Sequence, residues 1–137
     1  MTIEGSARAL VGVKWKHQGR DPRIGVDCAG LVKIALEANG YVIRDRSDYG
    51  TDPDGSLTAE VTRVLGPPVA TSGGDLQPCD VVLMQFAPNR PRHVGIIGSH
   101  AQGVTLIHAY NLGPKRVVEV LLDARWRAYI IGVWRPE

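Results

Sequence analysis

Aromatic residues are scarce in this chain: they make up 6% of its 137 residues, with a single phenylalanine. No Lys or Arg run stands out among its 16 basic residues, so nothing in the composition supports nucleic-acid binding. Long hydrophobic runs are missing as well. None approaches the roughly 20 residues that cross a bilayer, so membrane insertion is not expected. The two cysteines, Cys28 and Cys79, form neither a Cys-x-x-Cys pair nor a disulfide framework. No charged-then-apolar leader with a small-residue cleavage site opens the chain, which predicts synthesis in the cytoplasm without a secretory signal. Repeats and low-complexity segments are absent. The net charge of +2 and pI near 8.7 predict a solvated exterior with at most a mild attraction to anionic surfaces.

What is present is ordinary for a globular protein: 44% hydrophobic and 22% charged residues. The length predicts one domain over 1–137 with a core that needs no disulfides. Residues 3–15 read as a first helix, weakened by Gly5 and Gly12. A Gly- and Pro-punctuated loop follows from His17 to Gly25. Asp27 is an N-cap for a helix whose Leu31, Ile34, Ala35 and Ala38 recur at helical spacing, and Asn39-Gly40 stops it. After a turn-rich stretch with a helical candidate at Leu57–Leu65, the pattern changes to strands. These are Val81–Phe86, His93–Ser99, Gly103–Ala109, Arg116–Leu122 and Ala128–Trp134. Helices first and antiparallel strands afterwards predict an α+β domain.

Chemistry concentrates at Cys28. A thiol attacks as thiolate, and a free cysteine with a pKa of about 8.5 supplies little of it at neutral pH. One residue past the Asp27 cap, Cys28 sits in the field of a helix N-terminus, which lowers a thiol pKa. Ala29 and Gly30 leave room for a carbonyl to approach, and the Cys28 amide is a candidate oxyanion donor. The competing reading is a buried structural cysteine, and position alone does not separate the two.

Four histidines bear on the choice. His17 and His100 fall in or beside turns and are expected at the surface. His93 and His108 lie in consecutive strands. A two-residue Ala101-Gln102 turn sets His93 opposite Tyr110 and Gly95 opposite His108, which makes the two histidines diagonal neighbours on one face. Such a pair supplies a base and a group to orient it; Asn111 is a reserve for the second role. Zinc ligation by Cys28, Cys79, His93 and His108 is chemically feasible, but no two of them have the short ligand spacing of most zinc sites.

These residues, in this order, resemble the NlpC/P60 cysteine peptidases, papain-like cell-wall enzymes. Asp27-Cys28-Ala29-Gly30-Leu31-Val32 is similar to the family's Asp-Cys-Ser-Gly-Leu-Val, and His93-Val94-Gly95-Ile96 to its His-Val-Gly-Ile strand. Leu106-Ile107-His108-Ala109 resembles the segment carrying the third catalytic residue. Pro78-Cys79-Asp80 stands where the family has Pro-Gly-Asp. The resemblance runs from about Leu10 to Trp134. It implies N-terminal helices packed on a five- or six-stranded antiparallel sheet, with Cys28 as nucleophile, His93 as base and His108 as orienting residue. Asp27, Ala29 and Trp15 are implied on the oxyanion and substrate side, and no cofactor or metal. The implied substrate is a peptidoglycan stem peptide, cut at the γ-D-glutamyl–diaminopimelate bond or a neighbouring amide. Alternatives are an amidase or acyltransferase on the same scaffold, or a silent structural module. The Gly19–Gly25 lead-in resembles tail-associated peptidases of phages and gene transfer agents, which implies tail hub or baseplate partners and a place on a tail tip. Specificity is expected in loops 16–25, 41–56 and 87–92.

Overall fold

Capping at Asp27 organises the helical side of the domain. Its backbone is extended, and its Oδ1 accepts the Gly30 amide at 2.8 Å, which starts helix α2, Cys28–Glu37. The helix ends on Ala38, and Gly40 turns the chain away in the left-handed region at φ +95°. The computed structural model describes residues 2–44, 56–88 and 92–136. Loops 41–56 and 87–92 therefore lie partly outside the described residues.

The helix expected over 3–15 is shorter. α1 spans Ile3–Arg8, capped by the Thr2 side chain at the Gly5 amide. Gly12 sits at φ +95°, and beyond it the backbone is claimed by strand partners. The Gly12 amide donates to the Val117 carbonyl, the Val117 amide to the Val13 carbonyl and the Trp15 amide to the Lys115 carbonyl. Sheet bonding at this edge outweighs the helical spacing of the side chains. Two elements too short to leave a periodic pattern went unpredicted. A hairpin of β1 (Arg20–Asp21) and β2 (Gly25–Val26) occupies the lead-in loop, and α4 (Ala124–Ala128) starts on the Asp123 cap. The last strand begins at Ile130 rather than Ala128 because α4 takes up that segment. The predicted middle helix is α3, Ser56–Leu65.

Five strands, β3 (Val81–Gln85), β4 (Arg92–His100), β5 (Gly103–Tyr110), β6 (Arg116–Leu121) and β7 (Ile130–Trp134), form an antiparallel sheet in the order β6-β5-β4-β3-β7. The architecture is the expected α+β one, with five strands. Side chains alternate between two faces. Val81, Leu83, Val94, Ile96, Ile107, Ala109 and Val117 pack with Leu31, Val32, Ala35 and Leu36 of α2 and Ile3 and Ala7 of α1. Burying each larger aliphatic side chain there stabilises the fold by about 1.5–3 kcal/mol. The other face carries Val82, Met84, Ile97, Leu106 and Val133 under Leu122, Trp126 and Tyr129.

The start of β3 is pinned by charge. Asp80 is fully buried, and its carboxylate accepts Arg135 Nε at 2.9 Å, a terminal Arg135 nitrogen at 3.0 Å and the Gln77 amide at 2.9 Å. A buried carboxylate is tolerable because it is paired this fully. Just before it, Cys79 adopts φ +77°, the left-handed conformation that favours glycine.

Candidate active site

Three glycines bring the lead-in hairpin against the start of α2. A Cβ on Gly30 would run into the Gly19 carbonyl oxygen, and one on Gly19 into that of Gly25. Asp27 clamps the same contact: Oδ2 accepts the Gln18 amide at 3.0 Å, and Oδ1 accepts Arg20 at 2.8 Å as well as Gly30. A carboxylate so engaged holds the loop and helix together; it has no hydrogen to donate to an oxyanion. Ala29 is buried behind Cys28. Trp15 bridges Val26 and stacks on His17 with ring centroids 6.4 Å apart. As expected, His17 and His100 are exposed.

Cys28 is the first residue of α2 and is half-buried. The helix field does not set its protonation. Burial first and the Asp27 charge second push the thiol up to about 11, and the Val94 and Ala29 amides pull less strongly the other way. This reverses the depressed thiol pKa expected from helix position alone, because desolvation and a neighbouring carboxylate both oppose the thiolate.

The backbone amide of Val94, next to His93 in the chain, hydrogen-bonds the Cys28 thiol. Ile97 bonds Asp80 and Cys79 on the β3 side at 2.8 Å each, so alternation turns the Val94 amide toward β5. Pairing of β4 with β5 runs from His100↔Gly103 to Ile96↔Ile107. The Val94 amide lies past that last pair, where Cys28 comes in from the α2 side. The β4–β5 register is the one the two-residue turn dictates. It carries His93 and His108 onto the face opposite α2, and His93 Nε2 lies 2.7 Å from His108 Nδ1. One ring must donate and the other accept. If Nε2 of His93 carries the hydrogen, its Nδ1 is left as an acceptor. Burial lowers His93 to about 3, with the His108 charge adding to it, and lowers His108 to about 4. Among the described residues no hydrogen bond joins Cys28 to His93. Such contacts are often long in free enzymes and tighten around substrate.

Aromatic rings seal the pair. Trp126 of α4 meets His108 edge-on at 5.2 Å, Tyr110 lies 5.2 Å from His108 and 5.8 Å from His93, and Phe86 lies 6.2 Å from His93. Trp126 and Tyr129 each meet Phe86 edge-to-face. The sequence reading set Tyr110 opposite His93 but missed Phe86, Trp126 and Tyr129. The signal of the missed three was weak: Trp126 lies on a five-residue helix, Tyr129 is its C-cap, and Phe86 is distant in the chain. Among the described residues no three His, Cys, Asp or Glu side chains gather as a metal-ligand set.

Two solved structures share this fold. The chain is similar to the NlpC/P60 domain of the peptidoglycan hydrolase SagA, with a TM-score of 0.60 and 20% identity over 98% of this chain and 96% of that one. It is also similar to a lipoprotein-like NLP/P60 family protein of Staphylococcus aureus subsp. aureus Mu50, with a TM-score of 0.61 and 20% identity over 98% of this chain. The match spans 40% of the length of that second protein. No curated protein sequence matches the chain. A family model matches residues 12–135, from the turn after α1 to the end of β7, and by that match the chain belongs to the NlpC/P60 family.

Proposed function

We propose that the domain hydrolyses an amide bond of a peptidoglycan stem peptide through an acyl-enzyme on Cys28. The observation that carries the reading is the His93–His108 hydrogen bond at 2.7 Å, standing beside the open end of the β4–β5 ladder where Cys28 approaches Val94. The family match and the likeness to a peptidoglycan hydrolase domain support the substrate class.

Both partners start neutral at pH 7, since the thiol is pushed up and the imidazole down. The proton therefore moves as the sulfur attacks. Sγ forms a bond to the amide carbon, and His93 Nδ1 takes the thiol hydrogen. His108 accepts the Nε2–H of His93 and keeps the ring in that tautomer. His93 then gives its proton to the leaving amine as the C–N bond breaks. Water attacks the thioester with His93 as base, which releases the acid and restores the thiol. The Cys28 amide, at the start of α2, is the oxyanion donor in this scheme.

The proposed bond is γ-D-glutamyl–diaminopimelate or an adjacent amide. Action from a phage-like tail tip, with hub or baseplate partners, also belongs to the proposal and rests on the Gly19–Gly25 lead-in. Mass spectrometry of digested muropeptides tests the reading. Hydrolysis yields matched new amino and carboxyl ends that disappear with Cys28→Ala. A transferred acyl group in their place identifies an acyltransferase, and unchanged muropeptides defeat the proposal.

A further inference from the structure

Lys14 and Arg116 stand directly opposite one another in an isolated antiparallel bridge. Like charges facing across strands repel. Lys16 lies two residues on from Lys14 and so shares its side. Lys14, Lys16 and Arg116 are exposed, and among the described residues none of them forms an ion pair with a carboxylate. Arg116 Nε makes a long bond to the Pro114 carbonyl at 3.3 Å. The fold thus assembles three cations from two distant segments, and none has a carboxylate partner among the described residues.

The strip is continuous with the histidine pair. Tyr110 pairs with Arg116, and His108 with Val118. Residues two apart share a face, so His108, Tyr110 and Arg116 stand on one side of the sheet, and Lys14 extends that side beyond Arg116. On the opposite side of the same segment Trp15 packs against the main core. Trp15 bridges Val26, two residues before Cys28. Diagonal neighbours on adjacent strands are about 7–8 Å apart, so His108 to Arg116 is a reach matched to a short peptide.

We infer that Lys14, Lys16 and Arg116 form a carboxylate-recognition strip leading away from the His93–His108 pair. It selects substrate peptides that carry a free carboxylate beyond the cleaved amide over those in which that group is a carboxamide. The inference rests on the proposed amide hydrolysis, which supplies the peptide, but the strip's charge preference is measurable without turnover.

Two fluorescent stem peptides identical except for carboxylate or carboxamide are titrated against Cys28→Ala protein at low salt, with anisotropy as the readout. The carboxylate peptide is expected to bind about tenfold more tightly. The preference should fade as salt rises and vanish in the Lys14→Gln/Lys16→Gln/Arg116→Gln background. Equal affinity for the two peptides, or an unchanged preference in the triple variant, overturns the strip. On the native chain the same preference should appear in KM with kcat unchanged. If the native chain cuts neither peptide, the hydrolase reading fails while the binding titration still decides the strip.

Discussion

His93 Nε2 and His108 Nδ1 lie 2.7 Å apart on neighbouring strands, in a register fixed by the Ala101-Gln102 turn. That contact orients the His93 ring, and in the proposed reaction His108 accepts the Nε2 hydrogen so that Nδ1 is left for the Cys28 thiol. His108→Ala should lower kcat by roughly a hundredfold with little change in KM, because the loss falls on the transition state. His108→Asn should recover part of it, since an amide oxygen can accept the same hydrogen. Steady-state kinetics on a stem-peptide substrate checks this. Equal losses for Ala and Asn would remove the orienting role.

Gly95 is where the two strands meet beneath the pair. A Cβ there would lie 2.7 Å from Leu106 Cδ1, 3.0 Å from the Ile107 carbonyl oxygen and 3.2 Å from His108 Cβ. The backbone oxygen cannot rotate aside, so Gly95→Ala should spread β4 from β5. The expected cost is about 1–3 kcal/mol in urea unfolding, with a larger fractional loss of activity than of folded protein. Full activity in Gly95→Ala would contradict the close approach.

Burial of the histidines makes stability depend on pH. Their folded pKa values, about 3 and about 4, lie below the ordinary 6.5, so the unfolded chain binds protons first as pH falls. The stability they contribute is complete above pH 6.5 and is lost on the way down to the folded values. By pH 5 the loss should reach about 2 kcal/mol per histidine, above the range where carboxylates titrate. Trp126→Ala, which lets water onto His108, should flatten this slope and move the acid limb of kcat/KM upward, and Trp126→Phe should largely restore both. An unchanged acid limb in Trp126→Ala would show that the indole does not seal the pair.

Cys79 carries a side chain at φ +77°, a left-handed conformation that favours glycine. Cys79→Gly removes about 1 kcal/mol of backbone strain. It also removes the sulfur that accepts the Glu4 amide at 3.4 Å, a weak bond. Urea midpoints should therefore rise slightly or hold, with kcat/KM unchanged. A drop in activity would give Cys79 a part that its turn position does not.

The site was legible in the sequence wherever local rules apply. Asp27 capped the helix as its side chain dictates, and the hairpin turn alone set the His93–His108 diagonal. Position within an element is a local property; burial is not. The thiol of Cys28 was misjudged because its environment depends on Asp27's charge and on packing against β4, which helix position does not reveal. The end of α1 was missed because β6, a hundred residues on, bonds the backbone of residues 12–15. The same long-range pairing creates the Lys14–Arg116 encounter, which no Lys or Arg run in the sequence announces. The hairpin spacing already set Tyr110 opposite His93, but Phe86 and Trp126 converge on the histidines from outside that hairpin, and no spacing records that.

The most direct test of the account is to trap its intermediate. Native protein mixed with a stem-peptide substrate is quenched in acid within the first turnovers, and its intact mass is measured. The expected result is a mass increase equal to the acyl portion of the peptide, mapped to Cys28, absent from Cys28→Ala and accumulating differently in His93→Ala. Undiminished peptide cleavage by Cys28→Ala, or an adduct mapped to Cys79, would contradict the account.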